Sequence, residues 1–277
     1  MLHFYDKSKS IAVFTLAAMS AAVLTLPAMA ATGCDLTDGY PASLPGYVTE
    51  ATTCITDNRD LRADLADAVF EQINQERRAA EIKPLTRNAS LDQAAAAHAL
   101  DMMNRGYANH SDPEGRDHVF RVRAFNRSQL IGAVGANVLV ARPGSGADDI
   151  FAKIKADDLN AENLVRKGFS DMGMAVAVSD GQPFIVQIFA AVEGEFEREL
   201  PLTVNKNTAI RADLSDANRE FIGWNLTDQA TGDLIARGKA ARLRTASFDR
   251  AQTANLDVVV TDQASTYVLK GPAITAR

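Results

Sequence analysis

The chain has 277 residues, 47% of them apolar, and a formal net charge of −6. That length suits one large domain or two smaller ones. The acidic balance, with no run of five like charges, argues against a nucleic-acid or anionic-membrane surface, which would need clustered Lys and Arg.

Residues 1–30 read as an export signal. Lys7 and Lys9 precede an apolar stretch from Ile11 to Leu26, and Ala28-Met29-Ala30 is a small-x-small cleavage site. The apolar run is about 16 residues, where a bilayer span needs about 20. The expected mature chain begins at Ala31, is secreted or periplasmic, and carries no transmembrane segment. Its two cysteines, Cys34 and Cys54, read as one disulfide in an oxidising compartment. Two separate thiols, or a lipid on Cys34, are the alternatives; the preceding Ala-Thr-Gly lacks the usual lipobox leucine. Gly39, Pro41, Pro45 and Gly46 leave residues 31–57 with little periodicity, so they read as an arm tied down by the bridge.

A helix is expected from Asn58 or Asp60 to about Ala80. Leu61, Leu65, Ala68, Val69 and Gln72 follow one stripe, and Pro84 ends any continuation. The stretch from Ser90 to Gly115 is the centre around which the chain is organised. Ser90 and Gln93 make a capping-box pattern. Leu91, Ala94, Ala95, His98 and Met102 share a helical face, and Gly106 is a helix stop. A polar loop then presents His110, Ser111, Asp112 and Glu114 within five residues. A third amphipathic segment, 117–125, repeats Val119, Val122 and Phe125.

After Gly135 the period shortens. GANVLVAR, MGMAVAV and PFIVQIFAAV are strand-like runs, with a helical stretch over 147–167 between the first two. Helices followed by mixed strands argue α+β with an antiparallel sheet. Glu193, Glu195, Glu197 and Glu199 read as a polar link ending at Pro201. The tail, 200–277, alternates in short runs between turns such as Ala230-Thr231-Gly232-Asp233, which predicts a small β-sandwich with Trp224 as its core plug.

Several of these residues carry a family resemblance. Asn74 and Arg77 lie on one helix, followed by Pro84-Leu85, Leu91, an alanine-rich helix with Asp101-Met102, and a glycine before His110-Ser111. Gly135-Ala136-Asn137, Asn163-Leu164 with Phe169 and Gly173, and Phe184 to Phe189 with Gln187 come next in order. Over about Ala63 to Val192 the chain resembles the bacterial branch of the CAP superfamily, the SCP-like extracellular proteins. The resemblance implies an α–β–α sandwich over residues 58–194, with a groove over the sheet. It also implies a pocket of two histidines and two acids able to hold a divalent metal. Here His110 matches the first histidine. The family's glutamate is Ala136, its W…S…H helix positions are Ile154, Asp157 and Asn160, and the last-strand histidine of animal members falls at Phe184.

A transition-metal site wants three or four imidazole, carboxylate or thiolate ligands. His110, Asp112, Glu114 and His118 offer at most a weak one, and no cofactor is expected. His98 reads as a hydrogen-bonded core histidine. No nucleophile elbow or phosphate loop occurs. The expectation is an exported, non-catalytic module that binds an unidentified ligand or extracytoplasmic protein partner through its groove. The groove candidates are His98, His110, Ser111, Glu114, Asn137, Asn160 and Gln187. The alternative is a hydrolase or metal-binding protein using a residual His110-centred site.

Overall fold

The computed structural model describes residues 34–56, 58–205, 208–243, 252–262 and 264–276. The expected signal segment, 1–30, lies outside them. Cys34 and Cys54 form the expected disulfide, with an S–S distance of 2.09 Å. The arm it ties is not irregular, because α1 occupies Leu44–Ile55. The proline and glycine that broke the periodicity belong to a helix start. Ser43 is the N-cap, its side chain accepting from the Gly46 N–H, and Pro45 sits in the first turn, where a missing N–H loses nothing.

Helix α2 (Ala63–Ala79) leads through the two-residue strand β1 (Thr86–Arg87) into α3 (Ala89–Arg105). The N-cap of α3 is Asn88 rather than Ser90; its side-chain oxygen accepts from the N–H groups of Ser90 and Leu91. Gly106 ends α3 in the left-handed conformation, φ 67°. Helix α4 (His118–Phe125) comes next, capped by Asp117. Then come β2 (Gln129–Val140), α5 (Ala147–Lys155), α6 (Asp158–Val165), β3 (Asp171–Ser179) and β4 (Gln182–Phe196).

Strands β3, β4 and β2 form an antiparallel sheet between two helical layers. Period-2 alternation sends Phe184, Val186, Ile188 and Ala190 into a core with α1, α3 and α4. It sends Ile185 and Phe189 into the opposite core with α2, α5 and α6. The alanines of α3 are what let it lie so close to the sheet. A Cβ on Gly173 would come 2.1 Å from the Leu91 carbonyl carbon, so this crossing admits no side chain at all. Two buried polar residues bracket the far layer. The Asn74 amide bonds both the N–H and the carbonyl of Leu85. Arg77 donates to the carbonyls of Lys83, Leu164, Arg166 and Phe169.

The tail adds β5 (Thr203–Val204), β6 (Ala212–Leu214), β7 (Glu220–Asp228), β8 (Leu234–Gly238), β9 (Thr253–Thr261) and β10 (Thr266–Ala276). These strands continue the first sheet, in the order β1-β3-β4-β2-β10-β9-β7-β8. The glutamate stretch expected as a link starts inside β4, whose last residues, Gly194 to Phe196, pair with β6. Its alternation is that of a half-buried strand: Gly194 and Phe196 point inward and Glu195 outward. The boundary expected near 194–200 therefore begins on a strand that both halves use.

The tail is also not two stacked sheets. After β8, residues 241–243 bond residues 208–210, and Glu197 N–H bonds the Arg211 carbonyl beside β4. Backbone pairing thus runs in a ring from β4 through β2, β10, β9, β7 and β8 and back. Inside the ring lie Leu130, Phe196, Ile210, Trp224, Leu256, Val258 and Leu269. Trp224 is the core plug expected, its indole N–H donating to the Ala240 carbonyl at 2.8 Å. Arg123 of α4 ties the regions together, donating to the carbonyls of Leu256 and Gly271 and pairing with Asp257. Among the described residues no helix is long and apolar enough to cross a membrane.

Candidate functional site

The exit of α3 is a closed charge network. Asp101, one turn before Arg105, is 1% exposed and takes a two-pronged pair from that arginine, at 2.7 and 2.6 Å. Arg105 reaches on to both oxygens of Glu114. Glu114 also accepts from Arg116, which pairs with buried Asp112 at 2.7 Å. Arg116 then donates to the carbonyls of Tyr40 and Pro41 in the N-terminal arm. Arg121 of α4 lies 3.5 Å from Asp112 and donates to the His110 carbonyl. Three acids thus meet three arginines. Hydrogen bonds from Arg105, and then the charges of Arg105 and Arg116, hold the Glu114 carboxyl down at about 2.

The acids therefore do not form the solvated or metal-ready loop that their sequence spacing allowed. A metal would have to displace guanidinium groups already making charge-assisted bonds, which are among the strongest a carboxylate can have. What remains is two imidazoles: exposed His110 and half-buried His118, ring centres 6.1 Å apart, the latter with a buried Nδ1 that has no hydrogen-bond partner. Ala136, buried on the sheet, offers only a methyl group. Among the described residues no three His, Cys, Asp or Glu side chains gather as a metal site would need. The residues present do not fit the divalent metal that the family pocket implies.

His98 is 1% exposed, as its place on the α3 face predicts. Its Nε2 lies 2.7 Å from the Asn109 carbonyl; a carbonyl only accepts, so Nε2 carries the proton. The Tyr107 hydroxyl, 3.4 Å from Nδ1, gives its own proton to Asp101 at 2.5 Å. Burial, reinforced by the Arg121 charge, pushes the His98 imidazole down to about 3. Burial also lowers His118 and pushes the Tyr47 phenol up to about 12.

The remaining groove candidates sit on the other face of the sheet. Asn137 and Gln187, both fully buried, pair across β2 and β4 at 2.9 Å. Asn137 also donates to the Asn160 carbonyl of α6 and accepts from Asn163. Gln187 reaches Met174, which belongs to the α2, α5 and α6 core. Asn160 contributes its backbone here rather than its side chain. So His98, His110, Ser111 and Glu114 share one region, Asn137, Asn160 and Gln187 share another, and the sheet separates them. No single groove gathers all seven. An apolar slot of about 230 Å³ lies elsewhere again, at the β3 edge between Leu61, Ala66, Ala96 and Val176.

Sequence reasoning missed Arg105, Arg116 and Arg121 as partners of the loop. The signal was available, because Asp101–Arg105 and Asp112–Arg116 are both spaced i, i+4. Asn163, the third side-chain amide of the other region, stood in the resemblance but not among the groove candidates.

No curated protein matches the chain. Among solved structures, an outer surface protein from Borrelia burgdorferi aligns with a TM-score of 0.43 and 13% identity, over 47% of this chain and 94% of its own. An extracellular protein containing a SCP domain from Bacillus anthracis str. Ames aligns with a TM-score of 0.39 and 19% identity, over 51% and 43%. A cysteine-rich secretory protein from Staphylococcus aureus subsp. aureus Mu50 gives 0.34 and 14%, over 49% and 40%. The chain thus spans less than half the length of the latter two. Residues 70–189 match the CAP family, described as the cysteine-rich secretory protein family.

Proposed function

We propose that this is an exported, non-catalytic CAP-domain protein that binds a ligand or extracytoplasmic protein partner, with residues 200–277 as an appended all-β part. One observation carries the reading: Asp101, Asp112 and Glu114 are each committed to an arginine, and Asp117 is committed to capping α4. A general base needs a free lone pair within reach of the proton it removes, and a metal needs unshared donors. Ala136, Asn160 and Phe184, at the other pocket positions, supply neither. The disulfide supports export, since such bridges persist outside the reducing cytosol.

The one feature favouring the alternative is the neighbouring imidazole pair, His110 and His118. Zinc titration by calorimetry on the intact chain and on His110→Ala separates the two readings. Equal, negligible heats in both are expected. Micromolar or tighter binding that disappears in the variant would overturn the non-catalytic reading and restore a metal-dependent one.

A further inference from the structure

The seam that closes the C-terminal ring carries a second cluster of charge, far more open than the first. Three backbone segments meet there. Residue 197 bonds residue 211, residues 208–210 bond 241–243, and Ala209 bridges Arg242. Arg198, Arg211 and Arg242, one from each segment, line a cleft of about 210 Å³ with Glu197 and Ala209. The lateral bonds fix the spacing of the three arginine backbones, so the cleft is part of the ring's own pairing.

Neither Arg198 nor Arg211 has a side-chain hydrogen bond or ion pair among the described residues, and Glu197 forms none with them. Arg242 makes an interaction of its own and lines the third side. Arg198 and Arg211 alone set two guanidinium groups against the one carboxylate of Glu197, a local positive site on a chain whose net charge is −6. Such a patch attracts anions selectively, because the rest of the surface repels them. A planar guanidinium fork matches the paired oxygens of phosphate or sulfate. The cleft is smaller than the roughly 300–1,000 Å³ of pockets for drug-sized ligands, which suits one oxyanion group.

We infer that this seam is an oxyanion site, taking a phosphate or sulfate group either free or borne on a larger molecule, with Arg198 and Arg211 as its principal donors. It is independent of the His110 loop and goes beyond the function proposed above. The test is calorimetric titration of the intact chain with inorganic phosphate at constant ionic strength, chloride being the control anion. Phosphate is expected to bind in preference to chloride. Arg198→Gln with Arg211→Gln should weaken it at least tenfold while leaving the melting temperature unchanged. Arg142→Gln, an exposed arginine at a different cleft, should bind as wild type. A polyphosphate arm distinguishes the sources, and either result supports the site. Tighter binding per phosphate assigns the group to a polymer, and equal binding assigns it to the free ion. Absence of phosphate-specific binding, binding unchanged in the double variant, or equal loss in Arg142→Gln would overturn the inference.

Discussion

The α3 exit and the ring seam use the same ingredients to opposite ends. At the α3 exit, Arg105, Arg116 and Arg121 face Asp101, Asp112 and Glu114, and the cluster is largely buried, with one Arg121 nitrogen held only by the charge of Asp112 at 3.5 Å. At the seam, Arg198 and Arg211 stand exposed beside a single glutamate that does not engage them. A buried arginine left unpaired would carry a desolvation penalty of several kcal/mol, so its acids are structural necessities. An exposed arginine carries no such penalty and is free to wait for a ligand. Proximity of acids to a histidine is therefore a poor guide to chemistry until their partners are known.

The sharpest way to break the comparison is to remove one arginine from each region. Arg116→Ala strands Asp112 in the core and frees the Tyr40 and Pro41 carbonyls. It should destabilise the fold by about 3–5 kcal/mol. Arg198→Ala should stay within about 0.5 kcal/mol of wild type. Urea unfolding measures both. If the two variants lose equal stability, the α3 network does not hold the fold together. Replacing both partners, Arg116→Met with Asp112→Leu, should recover most of the loss, because no charge is then left buried alone.

Next in size is the disulfide. Cys34–Cys54 closes a sequence separation of 20, which in the chain-entropy model is worth about 3 kcal/mol. The same arm is held from the other side by Arg116, through the Tyr40 and Pro41 carbonyls. Two restraints on one segment should not add. A double-mutant cycle between Cys34→Ser/Cys54→Ser and Arg116→Ala is expected to give a coupling above about 0.5 kcal/mol. Strict additivity would mean that the arm is anchored independently at its two ends.

How far the sequence carried depends on whether the decisive interactions are local. The α+β character and the antiparallel sheet were legible because helical and strand periods are local, the three-layer arrangement came from the family resemblance, and His98 fell on the α3 face as its spacing predicts. The α1 helix was hidden by Pro45 and Gly46, which mark a helix start as readily as a loop. The end of β4 was hidden by its glutamates, although the alternation of Gly194, Glu195 and Phe196 was that of a strand. The ring closure rests on pairing between residues 208–211 and 241–243, which no local pattern announces. The candidate site failed in a similar way. Asn137 and Gln187 read as groove residues until the alternation of β4 put them on the face opposite α3.

The most specific prediction separates two titrating groups of the α3 exit by pH. His98 sits at about 3 when folded, against about 6.5 in an unfolded chain. Between those values the unfolded state takes up a proton that the folded state refuses. Stability must therefore fall as pH drops below about 6.5, by at most about 1.4 kcal/mol per unit from this group. His118, also lowered by burial, adds in the same direction. Glu114 works in a different window. Its carboxyl is held at about 2 when folded, so its contribution is complete above about 4.3 and disappears only as pH falls toward 2. Its side chain is 40% exposed, so solvent screening reduces that contribution. His98→Gln should therefore flatten the stability curve from pH 6.5 down to about 3, leaving the residual slope of His118, and should not alter the limb below about pH 3. Glu114→Gln should leave the slope above about pH 4.3 unchanged and alter only the limb below it, and its effect should shrink in high salt. Unfolding free energies measured at half-unit pH steps settle it. A wild-type curve already flat between pH 6.5 and 4.5 would show that His98 accepts a proton without unfolding, through its Asn109 and Tyr107 contacts, and that the α3 exit is less closed to charge than the seam comparison requires.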